Sequence, residues 1–499
     1  MQGRERSRGA VLAAATLILL LAIGAVLALE LARASGSAQR ERITASALAE
    51  AREALIAYAA DRPVSAAVGP GYLPCPDLDN DGWAESTCGS LTGDIGQAER
   101  LGRLPWKTLG VPDLRDGHGE RLWYAVSTKY KGLLNCAASR ACVDMSPDAA
   151  LGTITVRDAS GTLVHDGSIA EPYRAGEGGA VAVVIAPGPP LGRAAAQPGD
   201  DAAQSRECAP GDCDAHGRCL TDPPQRAATC DPANYLDRAP GARFASEDNA
   251  DFRDRSDAAG RARNRNGFIQ GPVVLADGRV AVNDRLTAIG YRDLMPRIMG
   301  RVALEVAHCL RAEAAGNAGR FPWPTPTCAQ SSPDGGIAWQ ERPGVYFGRI
   351  SDRPRDAGTC NLAAASDPGP SWWSVWRPYV FYAVSRGYAP STAGAPGCSE
   401  SAPCLELVEP SGRSIAQGKQ IAILVAGAAL VRGGFVQSRA GAAVSDVRQW
   451  LEESNAQLEG AAGCPGGPAR LGCESSGTCT RVTTAAGSRA FNDVVVALP

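Results

Sequence analysis

Histidine is scarce in this 499-residue chain: there are four, at positions 118, 165, 216 and 308. None stands in a metal-binding or nucleophile pattern. No P-loop, dinucleotide-binding glycine pattern or nucleophile elbow occurs either, so the familiar marks of NTPases, dehydrogenases and serine hydrolases are missing. A charge excess of either sign is missing too. The 50 Lys and Arg against 53 Asp and Glu leave a net charge of -3, and no basic stripe runs along the chain, so no nucleic-acid partner is expected. What remains, 44% hydrophobic and 21% charged residues, is the composition of a folded globular chain rather than a disordered one. The length predicts two or three domains. Cysteine is plentiful, 16 in all, and clustered locally, which points to an oxidising compartment and disulfides.

The N-terminus suggests how the chain reaches that compartment. Arg4, Arg6 and Arg8 precede an uncharged stretch from Gly9 to Leu29, and about 20 apolar residues span a bilayer core. The expected order is a cytoplasmic leader (1–8), a transmembrane helix (9–31) and a stalk helix (32–62). The basic flank keeps the leader inside and places the bulk in the periplasm or outside. A cleaved signal peptide with its cut near Ala32 to Ala38 is the alternative. The stalk carries Ile43, Leu48, Leu55 and Tyr58 on one stripe. If Ser35, Gly36 and Ser37 do not break it, one helix of roughly 75 Å runs from about residue 10 to 60; a hinge at Gly36 would give two.

The remainder reads as a diverged duplication. Trp123-Tyr124-Ala125-Val126-Ser127 returns as Phe381-Tyr382-Ala383-Val384-Ser385, and each is followed by a cysteine pair, Cys136 with Cys142 and Cys398 with Cys404. A strand-turn-strand pattern follows in both, through Ser160-Gly161 and Ser411-Gly412. Next come buried-strand runs, Val181 to Ile185 and Ile421 to Val425. Then Tyr235-Leu236-Asp237 matches Trp450-Leu451-Glu452, and Asn283-Asp284 matches Asn492-Asp493. A helix over 291 to 315, with Pro296 in its first turn and Gly316 past its end, opens the second copy. The expected modules are 63–290, with long Gly- and Pro-rich loops, and 291–499.

The leader ending in Gly9, the apolar helix and the stalk Leu48-Ala49-Glu50-Ala51-Arg52-Glu53-Ala54-Leu55-Ile56-Ala57-Tyr58, followed by a β-rich head, resemble the type IV pilin and type II secretion pseudopilin superfamily. The resemblance implies peptidase cleavage between Gly9 and Ala10. It also implies packing of the apolar helix against other pilin-like subunits at the inner membrane. Gly71-Tyr72-Leu73-Pro74-Cys75-Pro76-Asp77 and Gly102-Arg103-Leu104-Pro105-Trp106-Lys107-Thr108-Leu109-Gly110 are similar to segments of poorly characterised bacterial head proteins. The chain departs from major pilins in having Ala10 and Ala14 where they carry phenylalanine and glutamate. That departure, with the bulky head, points to a minor, tip or accessory subunit.

Candidate chemistry is sparse. Asp77, Asp79 and Asp81 with Gly82 alternate as in a calcium loop, and Glu85 offers a further oxygen, although Cys88 stands where an EF-hand needs glutamate. The alternative is a solvated acidic turn clamped by Cys75 and Cys88. Cys208, Cys213, His216, Cys219 and Cys230 are potential zinc ligands, but lack a C-x-x-C pair, and an oxidising compartment favours disulfides there. Disulfides are also expected among Cys464, Cys473 and Cys479. His308 reads as a helix-surface or packed residue. Trp106, Trp123, Trp372, Trp373 and Trp376 read as core and interface anchors rather than a sugar or peptide site.

The resulting expectation is an α+β protein: a long transmembrane and stalk helix, then two duplicated modules, each a helix packed on an antiparallel sheet and clamped by disulfides. Its expected role is non-enzymatic assembly or display. The rivals are an anchored adhesin or binding module, with calcium as its one candidate cofactor, and an exported hydrolase with no recognisable site.

Overall fold

The computed structural model describes residues 3–61, 69–88, 100–131, 145–192, 204–239, 244, 248–250, 255–256, 262–263, 267–327, 339–351, 360, 362, 372–390, 394–432, 434–439, 446–452, 455, 481–483 and 491–499. The architecture is α+β, with several antiparallel sheets and disulfides.

Helix α1 (Gly3–Asp61) runs unbroken for 59 residues, roughly 90 Å at 1.5 Å per residue. The Ser35-Gly36-Ser37 segment does not interrupt it, and the Ser37 hydroxyl donates back to the Ala34 carbonyl at 2.9 Å. Among the described residues no helix is long and apolar enough to cross a membrane. Of the 9–31 span, only the side chains of 17 and 19–23 fall within them. The packed face differs from the expected stripe. Ile43 is exposed and Tyr58 only half-buried, whereas Thr44, Ala47, Leu48, Ala51, Leu55, Ile56 and Ala59 are buried. Alanines carry much of this face because a sheet lies close against it, and a reading that tracks large apolar residues passes over them.

Head one begins with strands β1 (Leu101–Arg103), β2 (Trp123–Val126), β3 (Thr155–Arg157), β4 (Leu163–His165), β5 (Ala182–Ala186), β6 (Gly267–Ile269) and β7 (Arg285–Ile289). Four of them form an antiparallel sheet ordered β1-β2-β5-β7, and a smaller sheet is ordered β4-β3-β6. The larger sheet is covered on both faces. Tyr124, Val126, Ala182, Val184 and Ile289 point to α1, while Trp123, Ala125, Val183, Ile185 and Leu286 point to a second core with Tyr235 and Phe268. Double coverage explains why the central strand reads as a continuous apolar run rather than an alternating one.

Helix α2 (Tyr291–Gly316) opens head two. The helix starts at Tyr291 as expected, capped through Asp293, which accepts from the Gly290 amide at 2.8 Å, and Pro296 lies inside it, past a first turn of about 3.6 residues. Strands β8 (Phe347–Arg349), β9 (Val380–Val384), β10 (Leu405–Val408), β11 (Ser414–Lys419), β12 (Ile421–Val425), β13 (Arg481–Thr483) and β14 (Val494–Leu498) follow. Their sheets are ordered β8-β9-β12-β14 and β11-β10-β13, which is the strand order of head one. The parallel pair recurs too: β3 with β6, β10 with β13.

Side-chain detail follows the same correspondence. The Tyr124 hydroxyl donates to the Pro74 carbonyl at 3.1 Å, and Tyr382 to Pro322 at 3.0 Å. Gly102 and Gly348 lie where a Cβ would strike the carbonyls of Asp77 and Thr325, at 2.7 and 1.9 Å. The guanidinium of Arg103 lies 4.2 Å from the Trp123 ring and 4.0 Å from Tyr235; that of Arg349 lies 4.3 Å from Phe381 and 4.9 Å from Trp450. One continuous core joins α1, α2 and both large sheets.

Candidate functional site

The acidic turn after Pro76 is the densest cluster of potential ligands that the sequence pointed to. Asp77, Asp79 and Glu85 each place an oxygen within 4.8 Å of the others. Asp81 is outside that group and accepts from the Trp83 amide at 2.8 Å. Asp77 is buried, and its carboxylate accepts from the amides of Gly82 at 2.7 Å and Asp81 at 3.2 Å. Burial, with the charges of Asp81 and Asp79 beside it, pushes the Asp77 carboxyl up to about 7. Burial raises Glu85 also, against the Leu78 amide, which donates to it at 3.3 Å. A positive charge is already present: Arg218 pairs with Asp79 at 2.6 Å and stands 3.7 Å from Asp81. The donor set is all oxygen, which suits a hard divalent cation, and such a cation would have to displace Arg218 from Asp79.

Disulfides are in place in both heads. Cys75 bonds Cys88, and Cys398 bonds Cys404. Cys208 bonds Cys213 and Cys219 bonds Cys230, so these four are consumed as disulfides. Cys309 of α2 bonds Cys360, a link not foreseen from spacing. Cys136, Cys142, Cys464, Cys473 and Cys479 lie outside the described residues, and so do the side chains of Gly9 and Ala10. His308 is exposed on α2. Trp123, Trp372, Trp373 and Trp376 are buried in the cores, while Trp106 is half-buried.

The two acidic steps that closed each sequence copy form a buried network instead of an open site. In head one Asp237 accepts from Gln204 at 3.0 Å and from the Asn283 amide at 2.8 Å. Asp284 accepts from the Asp237 amide and from Asn249, both at 2.8 Å. In head two Glu452 accepts from Gln437 at 3.2 Å and the Asn492 amide at 3.1 Å, and Asp493 from the Glu452 amide at 3.1 Å. Burial, then the neighbouring carboxylate, holds Asp284 and Asp493 well above the usual carboxylate range. The cause is that two adjacent buried charges would be costly. With Asp237, Asp284, Glu452 and Asp493 all buried, these groups hold the fold together.

A polar cluster around Asp148 crosses between the heads. Asp148 of head one pairs with Arg439 at 2.9 Å and accepts from the Tyr379 hydroxyl at 3.0 Å and the Ala429 amide at 2.8 Å. Tyr291 of α2 donates back to the Pro147 carbonyl at 3.0 Å. Sequence reading missed Asp148, since it belongs to no motif.

No family model, curated protein or solved structure matches this chain.

Proposed function

We propose that the chain is a non-enzymatic, exported structural or assembly component held at a membrane by α1, of the minor or accessory pilin-like kind. Its two heads are copies of one ancestral module. The observation that carries this reading is the exposure of Leu17, Leu19, Leu20, Leu21 and Ile23, at 59, 61, 66, 65 and 48%. At 100° per residue these five spread over an arc of about 200°, wider than the apolar stripe of about 100° by which a surface helix packs on one protein face. Lipid, or neighbouring apolar helices, would cover an apolar face that wide. The head end of the same helix is buried against the sheet, so the anchor and the fold share one rigid element.

The test is the N-terminal residue and mass of the protein recovered from membranes, with and without an active prepilin peptidase. A mature terminus at Ala10 that depends on the peptidase supports the reading. An intact Met1 beside an active peptidase, or a cut near Ala38, sinks it. A second reading, an anchored binding module that uses calcium, draws on the grouping of Asp77, Asp79 and Glu85. It expects a calcium-dependent rise in melting temperature that Asp79→Asn abolishes, and magnesium alone should not reproduce it.

A further inference from the structure

A cavity of about 840 Å3 lies between the heads. Its walls are the single turn Pro172–Glu177 of head one, the first turns of α2, the start of β14 and the loop over 427–431. The volume falls in the range of about 300 to 1,000 Å3 typical of small-ligand sites. The lining is mainly apolar, and two of the chain's four methionines, Met295 and Met299, belong to it. Methionine adapts its shape to flexible aliphatic partners.

The same corner of head one is closed. There β7 begins with Arg285, opposite Ala186, and Arg285 pairs with Glu41 of α1 at 2.9 Å. The Gly117 amide donates to Thr44 at 2.9 Å, drawing a turn onto the helix. By register, Val494 opposite Val425 is the counterpart of Arg285. A polar seal in one head is thus replaced by an apolar opening in the other.

The charge at the mouth is also specific. Arg174 is paired with Glu177 at 3.1 Å. Arg292 has no ion-pair partner among the described residues. Its guanidinium lies directly against Gly176, where a Cβ would come within 2.0 Å of Nε. The Oδ1 atoms of Asn492 and Asp493 also lack hydrogen-bond partners, but so do those of Asn283 and Asp284 in head one. They belong to the shared network and do not mark a ligand.

We propose that this cavity binds an aliphatic-chain anion, its charged group on Arg292 and its chain along Met295, Met299, Val431, Val494 and Val495. This site is independent of how α1 is anchored.

The test is photolabelling of the full chain in lipid nanodiscs with a decanoate that carries a terminal diazirine, followed by peptide mapping. Saturable labelling of peptides from 291–299, 427–432 and 491–499 is expected. Arg292→Glu should reduce it about tenfold, the equivalent of about 1.4 kcal/mol. Val431→Asp, at an exposed lining position, should reduce it as well, and Leu163→Asp in head one should leave it unchanged. Competition by soluble decanoate points to a free acid; competition only by anionic phospholipid in the disc points to a lipid. Labelling that is unsaturable, is confined to α1, is unaffected by Arg292→Glu, or is matched by an uncharged decanol probe overturns the proposal.

Discussion

Arg206 and Arg439 occupy matching places in the two heads, yet they are neutralised from different sources. Arg206 donates to the Gly188 carbonyl at 2.8 Å and pairs with Glu120 of its own head at 2.9 Å. Arg439 donates to the Gly427 carbonyl at 2.8 Å and pairs with Asp148 of the other head. Head one neutralises this arginine from within, whereas head two borrows a carboxylate. The large sheets, the parallel pairs and the buried acid networks are held in common. The heads differ at their contact, in the shared carboxylate and the open corner of β14, and away from it, in the acidic turn and the Cys208–Cys213 and Cys219–Cys230 loops of head one.

The largest break in this comparison should come from Asp148→Ala. It leaves Arg439, whose side chain is only 7% exposed, without its counter-charge, a loss of about 3 to 5 kcal/mol for a buried pair. Head two should unfold first, splitting into two denaturant transitions the single one expected of the parent. Glu120→Ala, at a side chain 28% exposed, should cost less and confine its effect to head one. Equal effects would mean that the heads do not depend on one another in the way the contacts imply.

Disulfide removal gives a smaller contrast. Cys309–Cys360 closes a separation of 51 residues and Cys75–Cys88 one of 13, so chain entropy assigns about 4 and about 3 kcal/mol. Double serine variants should lower the stability of head two by about 1 kcal/mol more than that of head one. A reversed order would show that local packing, rather than loop closure, sets the difference.

The smallest contrast is in pH response. Asp284, facing Asp237 and Arg206, and Asp493, facing Glu452 and Arg439, both have raised values in the fold. A carboxyl whose folded value is raised contributes stability that is fully present below its unfolded value and is lost as pH rises through the folded one. Both heads should melt progressively lower from mildly acidic to alkaline buffer. Asp284→Asn should flatten that slope for head one alone, as measured by scanning calorimetry. An unchanged slope would place the titration elsewhere.

Much of the fold was legible in the residues. The matched motifs around Tyr124 and Tyr382 are strands at equal places in two equal sheets, and the closing Asn-Asp steps lead into the edge strands. The acidic turn was visible as spacing, but its geometry excludes Asp81 and includes an arginine from 137 residues downstream of it. Small residues hid the packed face of α1. Asp148 and Arg292 were invisible, since neither sits in a periodic or repeated pattern.

The sequence by itself determined the long helix, the strand-forming runs, the repetition and the cysteine-rich loops. Those features arise from neighbours a few residues apart, through backbone propensity and side-chain period. Only the tertiary structure decided which carboxylate neutralises Arg439, which cysteine meets Cys309 and where an apolar corner stays open. Asp148 and Arg439 stand 291 residues apart, and no local periodicity encodes a contact fixed by how two finished heads pack against one another.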